Sequence, residues 1–169
     1  MKTPLLALAL LIAGNLTAAQ AATTGTLTVR GQIDGGTCNL DTISNPTLPT
    51  VKVSDFDSST WTGLKEFSLG ATCDSDIRNV IFTFSGTPAS ADPTRWANTG
   101  TAAGISTVLQ ARNGANYNIP ANGTAAQRQR TVATSAGKAT LPMAAHYIKT
   151  GTVSKGTLLT TATVSITYN

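Results

Sequence analysis

The chain has 169 residues and a formal net charge of +4, with only 12% charged and 5% aromatic side chains. Its basic residues are spread along the sequence, which argues against a nucleic-acid partner and against a membrane-binding patch. Two cysteines and one histidine are too few for a metal site of the zinc type, and the sequence indicates no cofactor.

Residues 1–21 have the pattern of a secretory signal peptide. Lys2 supplies a positive charge, Leu5 to Gly14 form an apolar stretch, and Ala19-Gln20-Ala21 is a cleavage site with small residues. Cleavage after Ala21 leaves 169 − 21 = 148 residues, enough for one domain with one core. An uncleaved membrane anchor is the alternative, but the apolar stretch is short for a membrane span.

Export determines how the two cysteines are interpreted. Cys38 and Cys73 are the only ones in the chain, and an oxidising compartment favours a disulfide between them. Thiol redox chemistry usually needs close spacing such as C-x-x-C, which this pair does not have. We therefore expect a structural disulfide.

Short alternating segments separated by turn residues predict an all-β domain. The first segment after the signal peptide places Gly25, Leu27, Val29, Gly31 and Ile33 on one parity. The further predicted strands are Val51–Phe56, Lys65–Cys73, Val80–Ser85, Ser106–Arg112, Ala139–Ile148 and Thr157–Tyr168. Seven or so strands at this spacing predict a β-sandwich of immunoglobulin type.

The last predicted strand has one apolar and one polar face. Its apolar parity carries Leu158, Ala162, Val164, Ile166 and Tyr168, and the other parity carries mostly Thr and Ser. An unpaired strand edge beside an apolar face favours association with another strand. The sequence ends at Asn169, so we expect the covering strand to come from another chain.

Four segments together resemble the subunits of chaperone–usher fimbriae, and the resemblance extends over the whole mature chain. It is closest to major or shaft subunits of type 1 and P pili. The segments are Leu27-Thr-Val-Arg-Gly31-Gln-Ile33 ahead of Cys38, Phe67-Ser-Leu-Gly-Ala-Thr-Cys73, Met143-Ala-Ala-His-Tyr147 followed by Gly151, and the C-terminal pair of glycine and penultimate aromatic residue. In that pair, Gly156 is fourteenth from the end (169 − 156 + 1 = 14) and Tyr168 is penultimate.

The resemblance implies an incomplete immunoglobulin-like sandwich that lacks its final strand and is completed by donor-strand complementation. Residues 22–34 would be the donor-strand extension, and residues 35–169 the pilin domain. Leu27, Val29 and Ile33 would fill the groove of another subunit, and Gly31 would lie at a pocket that admits only a small residue. The acceptor strand would begin at Gly156, and Tyr168 would be part of what a chaperone grips.

The function implied is that of a structural subunit that polymerises head to tail into a surface fibre used in adhesion. The alternative is a minor adaptor or a single-domain adhesive subunit of the same kind of fimbria, with its own ligand site. The expected partners are a periplasmic chaperone, an outer-membrane usher and neighbouring pilins in a homopolymer. The protein would pass through the periplasm to the cell surface.

Enzymatic interpretations find little support in the sequence. His146 is the only histidine, and for it we expect an outward-facing or structural role. Asp55 and Asp57 are spaced as a possible acid pair, but D-F-D beside a turn is more typical of solvated surface. We therefore expect no enzyme and no catalytic residues.

Four other side chains have alternative interpretations. Trp61 and Trp96 are candidates for stacking on a sugar, although core or subunit-contact roles are more common for such residues. Arg128 and Arg130 share a parity, and we expect them on a solvated outer face.

Overall fold

The computed structural model describes residues 26–114 and 118–169. The predicted signal peptide and Gly25 of the predicted donor strand lie outside the described residues. The chain divides into two units, Met1–Ile33 and Asp34–Asn169. Within the first unit, residues 26–33 form no strand. Among the described residues, no helix has the length and apolar character needed to span a membrane.

The regular secondary structure described in the second unit consists mainly of strands. Their bounds are β1 Cys38–Leu40, β2 Trp61–Cys73, β3 Asn79–Gly86, β4 Ile105–Ala111, β5 Asn118–Ile119, β6 Gln129–Ala133, β7 Lys138–Lys149 and β8 Ala162–Tyr168. Two short 3-10 helices, Val53–Phe56 and Ala126–Arg128, lie between them.

The strands form two antiparallel sheets. One has five strands in the order β1-β2-β7-β4-β5, and the other has three in the order β6-β3-β8. Alternate side chains of both sheets meet in one core, which confirms the predicted immunoglobulin-like β-sandwich. The largest fully buried side chains of this core are Trp96, Phe82, Phe84, Ile119, Leu141, Met143 and Val80.

Trp96 is the largest of these core residues and is fixed by both its backbone and its side chain. Its backbone bridges Thr107 on one side and Pro88 on the other. Its indole N–H donates to the carbonyl of Ile119 at 2.8 Å, so burial leaves no polar group unpaired. The prediction of a core role for Trp96 is confirmed, and a sugar-stacking role for it is excluded by its complete burial.

One predicted strand is wrong. Residues Val53–Phe56 form a 3-10 helix instead of extending as a strand from Val51. The carboxylate of Asp55 accepts a hydrogen bond from the backbone N–H of Lys52 at 2.8 Å, which favours a turn over a sheet ladder. Only Phe56 of this segment is buried, so the apparent alternation did not mark a sheet face.

The two arginines predicted on a solvated outer face are instead hydrogen-bonded to backbone carbonyls. Arg128 donates to Gly123 at 2.8 Å, and Arg130 donates to Asn118 at 2.8 Å. Both side chains therefore join β6 and its preceding turn to neighbouring segments. The three short strands β1, β5 and β6 are not predicted by the sequence pattern, and the last strand begins at Ala162 instead of the predicted Thr157.

A β-bulge interrupts the pairing of β2 with β7 between Thr62 and Lys65. Gly63 lies inside it with a φ of +67°, and a Cβ there would lie 2.6 Å from the ring of Tyr147. Glycine is therefore required both by the backbone angle and by the close approach of the ring.

The predicted disulfide between Cys38 and Cys73 is present. The two residues are register partners on β1 and β2, so the bond joins the short edge strand to the longest strand of the sheet. β1 has only three residues, and three ladder pairs alone hold an edge strand weakly. The disulfide therefore fixes the position of this edge.

Replacing Cys38 and Cys73 together with serine is expected to lower the free energy of unfolding by about 4 kcal/mol, because the loop-entropy contribution of the crosslink is lost. The loop spans 35 residues. Guanidinium unfolding of the exported protein measures the change, and export yield should fall with it. Thr72→Ser, on the exposed face beside Cys73, is the matched control. An unchanged unfolding midpoint in the double variant would contradict a structural disulfide.

Candidate functional site

The outer edge of β8 is the first candidate site. β8 pairs with β3 along its whole length, from Val80↔Tyr168 to Gly86↔Ala162. The strand order leaves β8 at the edge of its sheet, and within residues 26–114 and 118–169 no strand pairs with its other side. Its outward backbone groups are therefore available for another strand.

The two faces of β8 differ as the sequence predicts. Ala162, Val164 and Ile166 are half-buried and pack against the main core. Thr163, Ser165 and Thr167 alternate with them and are exposed. Tyr168 remains 41% exposed although it shares the apolar parity. The apolar face of this strand is thus only partly covered.

The opposite wall of this open side is β1, the edge strand of the five-stranded sheet. Cα atoms of β1 and β8 come within 8 Å of each other. Leu40 at the end of β1 and Ile43 just after it are partly buried against the same core as β8. The sandwich therefore has two sheet edges that face each other over partly covered apolar side chains. We call this region the β1–β8 groove.

Gly156 and Leu158, predicted as part of the same strand, lie in a different environment. A Cβ on Gly156 would lie 2.4 Å from the backbone nitrogen of Ala102, so only glycine permits this close approach. Leu158 packs against a second cluster formed by Phe56, Ala102 and Ile105. The predicted acceptor set thus separates into a ladder portion, Ala162–Tyr168, and a preceding anchored portion.

Hydrogen bonds hold the anchored portion against residues 97–102. The backbone of Ala102 donates to the carbonyl of Thr157 at 3.0 Å, and that of Thr99 donates to the carbonyl of Leu159 at 2.8 Å. The hydroxyl of Thr160 donates to the carbonyl of Ala97 at 2.9 Å. These contacts fix where the chain enters β8.

The predicted donor residues have uncovered side chains. Leu27, Val29 and Ile33 are 87%, 84% and 99% exposed. A Cβ added to Gly31 would meet no atom within 4 Å. Three apolar side chains on one parity therefore present their full surface to solvent, which is unfavourable for a segment with no partner.

A second candidate site lies on the five-stranded sheet, on the face directed away from the core. Two adjoining cavities of about 890 and 400 Å³ share Arg95, Val108, Gln110 and Asn118 in their walls. The smaller one is also lined by Trp61, Leu64, Arg112, His146 and Ile148. We call the two together the outer-face cleft.

His146 is buried in the wall of this cleft, with 7% of its surface exposed. The indole ring of Trp61 meets its imidazole edge-on, with the ring centroids 5.2 Å apart. Burial, and then the positive charges of Arg95 and Arg112, lower the pKa of His146 below its usual range. Its Nδ1 atom is buried without a hydrogen-bond partner.

His146 lies on the face directed away from the core, as predicted, but its side chain is buried and its ring packs against that of Trp61. The cleft as a whole was missed by sequence reasoning. Its residues come from β2, β4, β5, β6, β7, the second 3-10 helix and the loop that carries Arg95, and no local motif connects them. Asp55 and Asp57 form no part of either site: Asp55 bonds its own turn, and both side chains are exposed.

Comparison with known proteins shows what the chain is similar to. A model of the fimbrial protein family matches residues 27–169. The S-fimbrial adhesin SfaS of Escherichia coli O6:K15:H31 (strain 536) is 33% identical over 147 residues, which cover 85% of this chain and 84% of SfaS.

Two solved structures have the same fold. The P pilus rod subunit PapA superimposes with a TM-score of 0.62 at 16% identity, over 78% of this chain and 99% of PapA. The antigen and type I fimbria protein of Burkholderia pseudomallei superimposes with a TM-score of 0.55 at 25% identity, over 79% of this chain and 97% of that one.

Proposed function

Because the chain belongs to the fimbrial protein family, we propose that it is a structural subunit that polymerises head to tail by donor-strand exchange. It is a fimbrial subunit of the chaperone–usher type, exported through the periplasm to the cell surface. Residues 22–34 act as the donor extension and residues 35–169 as the pilin domain. A periplasmic chaperone, an outer-membrane usher and neighbouring copies of the chain are its partners.

The open edge of β8 is the observation that carries this proposal. A strand laid along it gains backbone hydrogen bonds and covers Val164 and Ile166, which the core covers only in part. The extension has the matching pattern, with Leu27, Val29 and Ile33 on one parity and fully available. Gly31 lies on that parity between Val29 and Ile33, and we assign it to a point of the β1–β8 groove that admits only a small residue.

The energy of such a contact is large enough to hold a fibre together. Burying Leu27, Val29 and Ile33 contributes about 1.5–3 kcal/mol each, as an upper estimate. Each backbone bond of the new ladder adds about 1 kcal/mol before ordering costs are subtracted. A head-to-tail contact that does not close into a ring gives an open filament. Dissociation at a junction requires the whole strand to leave its groove.

A synthetic peptide of residues 22–34 should raise the melting temperature of a chain that begins at residue 35, refolded in its presence. The peptide binds the native groove and not the unfolded chain, so the shift should grow with peptide concentration. A peptide in which Leu27, Val29 and Ile33 are serine is the control and should give no shift. Equal shifts from both peptides would argue against groove filling by these residues.

Gly31→Leu should block exchange between subunits while sparing chaperone binding, because the larger side chain does not fit where the extension passes a shallow pocket. Gly35→Leu is the matched control, since a Cβ at either glycine meets no atom within 4 Å in the chain itself. Fibre yield and co-purified chaperone are measured for both variants. Wild-type fibre yield from Gly31→Leu would refute the pocket assignment.

A second function, that of a minor adaptor or single-domain adhesive subunit, is favoured by the 33% identity to a protein named as a fimbrial adhesin. The architecture is compatible with both roles, and abundance separates them. A shaft subunit should dominate the peptides found by mass spectrometry of surface-sheared fibres. A few copies per fibre would establish the adaptor or adhesive role instead. The same spectra report whether the mature chain begins at Ala22.

A further inference from the structure

We propose that Asp76 is a positioning residue that keeps the extension from folding back into the β1–β8 groove of its own chain, and so reserves the extension for another copy. The proposal rests on the proposed donor-strand exchange, because it concerns the same extension and the same groove. The observation that carries it is a pair of hydrogen bonds between the loop that follows β2 and the residues just before β1.

The sequence at the base of the extension favours such a fold-back. Asp34-Gly35 lies between Ile33 and Gly36, and Asp-Gly beside an alternating apolar segment is a strong signal for a two-residue hairpin turn. This turn would lay the extension antiparallel along β1, whose outer edge pairs with no described strand. Since β1 borders the groove, the apolar side chains of the extension would reach the groove of their own chain. The loop to be closed is very short, so its entropic cost is small.

The structure does not form this turn. The favoured two-residue turn with Asp-Gly needs a positive φ at both central residues, and neither Asp34 nor Gly35 has one. Closing the turn also requires the backbone N–H of Gly36 to donate to the carbonyl of Ile33. That N–H donates instead to Oδ2 of Asp76 at 2.7 Å. The donor that would close the hairpin is therefore occupied by a carboxylate.

The same loop also holds the next residue, and together the two contacts bend the chain. The N–H of Thr37 donates to Oδ2 of Asp74 at 2.7 Å, and the N–H of Asp74 donates back to the carbonyl of Thr37 at 2.9 Å. Successive N–H groups of an extended strand point to opposite edges, yet those of Gly36 and Thr37 both reach this loop. The chain therefore departs from strand geometry at Gly36, before β1 begins.

Gly36 is required by its contact with the carboxylates. A Cβ on Gly36 would collide with the carboxylate of Asp76 and would lie 2.7 Å from the Cβ of Asp74. A Cβ on Gly35 would meet no atom within 4 Å. The second glycine of the pair is thus explained by a close approach to the loop and not by a turn. The disulfide between β1 and β2 lies directly beside this contact and keeps the two segments together.

Asp76→Ala is the test, and Asp74→Ala is its matched control. Each removes one carboxylate from the same loop, but only Asp76→Ala frees the N–H of Gly36 that closes the hairpin. Asp74→Ala frees the N–H of Thr37, which in that hairpin points away from the extension towards β2.

The exported full-length chain is refolded from denaturant at low concentration, and hydrogen exchange with mass spectrometry follows the amides of residues 26–33 in the monomeric fraction. We expect exchange about tenfold slower in Asp76→Ala than in the unsubstituted chain, as for loss of a competing hydrogen bond to a charged group. Fibre formation should slow with it. Asp74→Ala should exchange at the rate of the unsubstituted chain.

Adding Gly35→Pro to Asp76→Ala should restore fast exchange. Proline cannot take a positive φ, and it also restricts the residue before it to extended conformations, so the hairpin cannot close. A merely structural role of Asp76 would not respond to this second change. Unprotected amides in Asp76→Ala, equal protection in Asp74→Ala, or protection that persists with Gly35→Pro would each overturn the proposal.

Failure of donor-strand exchange itself has a different signature. The peptide of residues 22–34 reports on the groove of a chain that begins at residue 35, in which no extension can fold back. No stabilisation by that peptide would overturn groove filling and, with it, the role of Asp76. Stabilisation by the peptide together with unchanged exchange in Asp76→Ala would overturn the role of Asp76 alone.

Discussion

An unpaired strand edge beside an incompletely covered apolar face is the constraint on which the rest of the structure depends. The backbone groups on one side of β8 pair with β3. In the part of the chain that the structure describes, no strand pairs with the backbone groups on its other side. One added strand would hydrogen-bond the unpaired backbone groups of β8 and would also remove its apolar side chains from water. The exposed apolar side chains of Leu27, Val29 and Ile33 would in turn be removed from water by packing against such an apolar face.

The domain keeps this edge in place by anchoring the segments around it. The disulfide links β1 covalently to β2, so β1, one wall of the β1–β8 groove, is held at the edge of its sheet. Gly156 permits the close approach of residues 157–161 to the loop at Ala102, which fixes the start of the other wall. Trp96, Phe82 and Phe84 fill the core behind both walls. Both strands that border the groove, β1 and β8, are thus held in position by contacts with the rest of the domain.

The sequence predicts the bounds of β3, β4 and β7 to within one residue at each end. Prediction from the sequence fails where a side chain hydrogen-bonds to the backbone or contacts a residue on another strand. Asp55 turns an alternating segment into a 3-10 helix, and Arg130 looks solvent-directed in sequence but donates to carbonyls in space. His146 has the parity of an outward residue and is nevertheless buried, with the ring of Trp61, beside the bulge at Gly63, packed edge-on against it. Such contacts depend on register and bulges that no local pattern encodes.

The groove and the outer-face cleft occupy different parts of the sandwich. The groove lies beside β1, which pairs with residues 71–73 at the end of β2, whereas the cleft is lined by β4, β5, β7 and the beginning of β2 at Trp61 and Leu64. Filling the groove therefore leaves the cleft walls untouched.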